Sequence, residues 1–296
     1  MNILEPMSIT DSTLTSSNIP ENDYPVWNNA ASYVAGDRVI VLSTHSVYEA
    51  VIANTNKNPV TDDGTHWIKI GATNRWRAFD RKISARATRN GNITYTFAPS
   101  EIVDGAALFG LVASSVQVIV KDSSNVTIFD ETVQVVDRTE AVNWFAWLLD
   151  PIEFDTESMI TGFPGYVGNS IEVKINNTGT AEVGQLVIGR ITKLGTLISG
   201  TTIGYLDFSR KDRDDFGNPV IVERETADKT EFRFAFPPED ARRVKRVVQR
   251  LRAIPAVYFG EVNPRFGVTV FGFNQGIEVP LEVGMSFATM EVEGLT

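Results

Sequence analysis

From Asn74 to about Leu194 the chain is a succession of short β-branched runs with turn residues between them and almost no helical periodicity. The runs are Ile93–Phe97, Ala106–Leu111, Val116–Val120, Val126–Phe129, Thr132–Val136, Ile171–Ile175 and Gln185–Arg190. Asn-Gly, Asp-Gly, Asp-Ser-Ser-Asn and Asn-Asn-Thr-Gly stretches separate them. Such residues fit a pleated, half-buried surface, and short turn-bounded spacing selects antiparallel pairing, so a β-sandwich or jelly roll is expected over 72–194. The segment WFAWLLDPIEF fits a buried strand or a short helix equally well.

The last hundred residues change character. Thr202–Asp207 and Pro219–Glu223 read as strands flanking a charged turn, SRKDRDDFGN, and Glu231–Phe236 alternates polar and apolar. Pro237 and Pro238 stop that strand and open a helix whose first turn carries Glu239 and Asp240, which complement the helix dipole. Val244, Val247, Val248 and Leu251 fall on one stripe, and Pro255 ends the helix. Residues 195–296 are therefore expected to form a strand-helix-strand α+β module with one main amphipathic helix. Arg242, Arg243, Lys245, Arg246, Arg250 and Arg252 form its polar face, to be solvated or to meet an acidic partner subunit.

Residues 1–22 are rich in Ser, Thr and Asn and read as an extended N-terminal arm able to dock on a partner. A small aromatic-rich β domain follows over 23–71, with strands at Val39–Leu42 and Val47–Ile52. About 50 residues is small for independent folding without staples, and the chain has no cysteine, so aromatic burial has to supply much of its core. Trp27, Tyr33, Tyr48 and Trp67 are the candidate carbohydrate-binding residues, because an aromatic face stacks on the apolar face of a sugar ring; each serves equally well as core. The whole is mainly β.

Charge and composition narrow the function classes. A net charge of −10 argues against a general nucleic-acid binder, and no apolar run reaches the length of a membrane span. The N-terminus lacks a signal-peptide pattern, which suggests synthesis in a cytoplasm. His45 and His66 sit in turns without the further ligands a metal would require, and are expected to be solvated. Asp212, Asp214 and Asp215 lack the central glycine and terminal glutamate of an EF-hand loop. No acid and base pair for polysaccharide cleavage can be placed, so neither an enzyme nor a cofactor is expected.

Two resemblances sharpen these expectations. With Trp27, Tyr33, Gly36-Asp37, Val39, Tyr48-Glu49-Ala50, Pro59 and Trp67 in order, residues 24–70 resemble the small chitin-binding modules of chitinases. That family stacks sugar on an aromatic pair soon after the Y-x-A element, where this chain has Val51-Ile52-Ala53-Asn54. The remainder resembles tail-associated proteins of tailed bacteriophages. The strings that carry this are NRWRAFD (Asn74–Asp80), GQLVIGRITKLGTLISGTTIG (Gly184–Gly204), DFSRKDRDDFGNPVIVER (Asp207–Arg224), PAVYFGEVNPRFGVTVFGFNQGIEVPL and MEVEGLT. The resemblance implies a virion component near the tail tip or fibre-attachment point, repeated as a homo-oligomer, with tail subunits and fibres as partners and no catalytic residues. A host-surface glycan is the alternative partner. Exposed apolar segments would then mark interfaces. Asn143–Phe154 and Phe259 to Phe287 are the candidates, with Trp144, Phe145, Trp147, Phe259, Phe271 and Phe273 as their anchors.

Overall fold

The computed structural model describes residues 1–135, 144, 154–213, 216–260, 268–279 and 284–295. The protein is mainly β, with antiparallel sheets and one helix near the C-terminus, Ala241–Arg250. Its largest sheet has ten strands and is curled into a half-barrel. The path runs Glu157–Gly165, Val103–Phe109, Gln185–Lys193, Asn2–Pro6, Ala256–Phe259, Thr269–Glu278, Ser286–Gly294 and Thr226–Phe236. Thr196–Leu197 and Thr202–Asp207 both pair with the last of these.

A second sheet packs on the first half of that path. Its order is Thr127–Gln134, Ser115–Lys121, Ser170–Asn176, Ile93–Phe97 and Leu14–Ser17. The expected alternation is present: Val116, Val118 and Val120, Ile171, Val173 and Ile175, and Ile93, Tyr95 and Phe97 all point inward and are fully buried. Ala106, Leu108, Ile160, Leu186 and Ile188 close the core from the large sheet. Each such Val or Ile contributes about 1.5–3 kcal/mol by leaving water, an upper range because unfolded chains are already partly collapsed.

The N-terminal segment is no projecting arm. Asn2–Pro6 lies inside the large sheet, pairing with Gln185–Lys193 on one side and Ala256–Phe259 on the other. Leu14–Ser17 then forms the outer strand of the second sheet against Ile93–Phe97. One short stretch therefore contributes to both layers, and Met7 and Ile19 fill the core near the crossing. The physical reason is burial on both faces. Ile3 packs with the C-terminal cluster, while its neighbour Leu4 packs on the opposite face with Phe109, Phe259 and Phe271.

Beyond this strand the large sheet continues into the C-terminal module. The valine stripe of the helix, Val244, Val247 and Val248 with Leu251, is buried against Phe232, Phe234, Phe236, Tyr258 and Met290. A 3-10 turn, Pro238–Asp240, leads into it. The charged stretch expected as a turn is partly extended: Arg210–Arg213 pairs with Pro219–Val222, so the hairpin begun by Thr202–Asp207 is prolonged outward. Within Asn143–Phe154, Trp144 and Phe154 are exposed, and Phe145 and Trp147 lie outside the described residues.

The small domain is a three-stranded sheet, Arg38–Val41, Ser46–Ala50 and Trp67–Ala72, with a short pair, Ser32–Tyr33 and Asn54–Thr55, beside it. Its attachment to the sandwich runs through His45. The ring stacks on Trp76 at 3.9 Å between centroids, with Nδ1 3.0 Å from Glu21 and Nε2 3.0 Å from Asp11. Thr73 donates to the same Glu21 carboxylate at 2.8 Å. Instead of being solvated, His45 is a junction residue.

Two substitutions test the central strand. Leu4→Ala should cost about 2–5 kcal/mol in urea unfolding, since it leaves a cavity among fully packed rings; a projecting arm would leave the midpoint unchanged. Gly189→Ala places a Cβ 1.8 Å from the Glu5 carbonyl oxygen. The strands would have to separate, so the melting temperature should fall.

Candidate functional site

The four aromatic candidates of the small domain come together, but as a core. Trp67 is only 2% exposed, and its indole Nε1 donates to the Lys57 carbonyl at 2.9 Å. Tyr48 is buried beside it with Val39 and Ala50. Tyr33 meets Trp67 edge to face at 5.0 Å, and its hydroxyl is held by the Asn28 backbone, accepting from N–H at 2.8 Å and donating to C=O at 3.1 Å. Trp27 is half-buried on the same cluster. The exposed apolar residues of this domain are aliphatic, among them Val34, Ile52, Ile68 and Ile70. The four rings therefore offer no open platform for a sugar face.

A second device fixes the loop that delivers Trp67. The Asp62 carboxylate accepts backbone N–H bonds from Gly64 (3.0 Å), His66 (2.9 Å) and Trp67 (3.0 Å), and its other oxygen lies 2.9 Å from His66 Nδ1. His66 is thus a partner of Asp62 rather than a solvated residue. Desolvation alone would raise the carboxyl's pKa. The bonds from His66, Trp67 and Gly64 outweigh it and bring the pKa down to about 2.

The assembly candidates divide differently. Phe259 and Phe271 are buried in the cluster containing Leu4, with Phe271 stacked on Phe109 at 5.7 Å, and Phe273 is half-buried. Phe259 and Phe271 are core because the curled sheet is covered on both faces there, so adjacent apolar residues do not signal an outer surface. Trp144 is 74% exposed.

A strongly exposed apolar set lies on the ribbon formed by residues 202–213 and 216–231. Ile203 is 70%, Tyr205 72% and Ile221 65% exposed, and Phe208, Val220 and Val222 are also exposed. In the outer part, Arg210, Lys211, Asp212 and Arg213 face Val222, Ile221, Val220 and Pro219 in register. Opposed residues share a face, so each face carries one apolar row and one charged row. This outer pair forms a two-stranded sheet with no third strand among the described residues. At its base Lys211 and Ser209 hydrogen-bond to Asp207 and hold that carboxyl far below the usual range. Pro-Val-Ile-Val is the expected strand; the missed signal was the charged run of equal length directly opposite it, Arg210–Arg213, which pairs with it instead of turning.

Comparison with known proteins adds little to this geometry. No family model matches the chain, and no curated protein matches it. Among solved structures, a mutant of the lectin-binding domain of lectinolysin in complex with Lewis b aligns with 40% of this chain and 84% of its own. The identity is 10% and the TM-score 0.27, a likeness that carries no argument about fold or ligand.

Acid titration tests the Asp62 loop. Its folded pKa lies below the unfolded value, so its contribution is present above pH 3.8 and is lost as pH falls from 3.8 towards 2. Urea unfolding followed by tryptophan fluorescence should show that loss in the parent. Asp62→Asn should be less stable at neutral pH and lack this component of the acid dependence.

Proposed function

We propose that this chain is a structural subunit of a bacteriophage tail, an adaptor near the tip or fibre-attachment point that assembles with other virion proteins. The observation that carries the reading is the ribbon beyond Thr202, where Tyr205, Ile203 and Ile221 are each more than 60% exposed. A two-stranded ribbon is at best marginal alone in water, and an apolar strand with unpaired backbone is a template for association. A partner that covers it removes both liabilities. The ordered strings that resemble tail-associated proteins support the same reading, two of them lying between Gly184 and Arg224.

In this reading the small domain is a scaffold on the side of the sandwich, held there by His45, Trp76 and Glu21. Recognition of a host glycan through Trp27, Tyr33, Tyr48 and Trp67 is not part of it, because Tyr48 and Trp67 are buried and the Tyr33 hydroxyl is engaged by backbone. Among the described residues no helix is long and apolar enough to cross a membrane. The place of action in this reading is the virion tail.

Electron microscopy of virions carrying a labelled copy tests the proposal directly. Label at the tail tip or fibre junction is expected; label confined to the capsid, or absent from purified particles, overturns it. Ile221→Asp together with Tyr205→Asp should leave the thermal melt of the isolated chain nearly unchanged, since both side chains are exposed. The same pair should sharply reduce incorporation into particles.

A further inference from the structure

The outward face of the helix Ala241–Arg250 is the other feature that packing within the chain leaves unexplained. Residues 241–252 carry six basic side chains and no acidic one. Two are paired: Arg243 with Asp240 at 3.0 Å, and Arg250 with Glu5. Among the described residues Arg242, Lys245, Arg246 and Arg252 have no carboxylate within ion-pair distance. On a chain of net charge −10 this is a concentrated cationic surface.

Beside it lies a groove of about 680 Å³ between the helix and the strand Thr269–Glu278. Lys245 and Arg252 stand on the helix side, and Val248, Ile277 and Val279 give it apolar lining. Gln249, Asn274 and Gln275 add amides to that lining, so its chemistry is a mixed apolar and amide surface with a basic rim. A ligand suited to it is extended, apolar along one row and acidic at its margins.

The ribbon has that composition. Residues 207–225 carry four basic and six acidic side chains, a net charge of −2, around the apolar run Pro219–Val222. Arg210 and Lys211 are engaged within the ribbon by Asp212 and Asp207. Glu223 and Glu225, exposed beside the apolar run, have no basic group within ion-pair distance among the described residues. We infer that the ribbon of one copy docks in the groove beside the basic helix of a second copy, with Val220 and Val222, which share one face, against the apolar lining and Glu223 and Glu225 towards Lys245 and Arg252. The contact joins two different surfaces, so every copy offers one of each. Repetition then gives a closed ring or an open filament according to the rotation between neighbours.

This inference rests on the assembly reading and names its partner surface. The test uses the full-length chain and mass photometry across a concentration series. The parent should self-associate, and the dissociation constant should rise about tenfold or more between about 0.05 M and about 0.5 M salt, because the rim charges are exposed to screening. Lys245→Glu with Arg252→Glu, and separately Glu223→Lys with Glu225→Lys, should each abolish association without moving the thermal melt. Equimolar mixing of the two variants should restore association in alternating order, because the acidic ribbon of the first fits the basic groove of the second and the basic ribbon of the second fits the acidic groove of the first. The chain carrying all four changes should associate again.

The absence of native cysteine allows a geometric check. Val222→Cys mixed with Gln249→Cys should give an oxidised heterodimer, whereas either variant alone should not. A parent that stays monomeric at every concentration overturns the inference, as does association that survives both charge reversals. Self-association of this kind in a protein absent from virions would leave the inference standing and remove the tail reading. A virion-bound protein that is monomeric when purified would do the reverse.

Discussion

The large sheet is one sheet because Asn2–Pro6 lies in the middle of it. Without that strand, Gln185–Lys193 and Ala256–Phe259 would present two facing rows of unpaired amides and carbonyls. Ile3 and Leu4 would leave two cores open at once, one on each side. Backbone pairing and side-chain burial thus converge on five residues, and both the sandwich and the C-terminal module depend on them. The same segment then crosses to the second sheet through Leu14–Ser17, so it also fixes how the layers sit on each other.

The small domain solves a different problem. It lacks the size for a broad core and the cysteines for staples, so its large rings are turned inward and its loop geometry is tied to one carboxylate, Asp62. Its chemistry is thereby committed to folding. The ribbon reverses that allocation: it keeps β-branched and aromatic side chains outside and pairs its charges along the opposite strand. The two regions illustrate why residue type alone does not locate a binding surface; what decides it is whether the neighbouring chain can cover the residue.

Much of the fold was legible in the sequence wherever a strand has one buried face. Ile93–Phe97 coincides with its expected bounds, and the alternation in Val116–Val120 and Ile171–Ile175 is the alternation of the core. The valine stripe likewise predicted which face of the helix is buried. Legibility failed where both faces are buried or both are exposed. Asn-Ile-Leu-Glu-Pro has no period to read, and its partners lie near residues 190 and 258 in a sequence that gives no local hint of them. Phe259 and Phe271 looked like interface residues because continuous apolar runs occur both in central strands and in sticky surfaces. Arg210–Arg213 looked like a turn because strand pairing there comes from the register of the hairpin rather than from β-forming side chains.

The position of the central strand also sets a timetable. Asn2 pairs with Lys193 and Phe259, so this strand waits for partners made some 190 and 260 residues after it. At roughly 5–20 residues per second, that interval is on the order of 10–50 s. During it the sandwich can gather its own hairpins, whose contacts are local, while the slot for Asn2–Pro6 has only one wall. Completion of the sheet is therefore a late, long-range closure of the kind that slows folding. Until it occurs, the exposed edge of Gln185–Lys193 is open to any strand that reaches it first, including the same strand from another nascent copy.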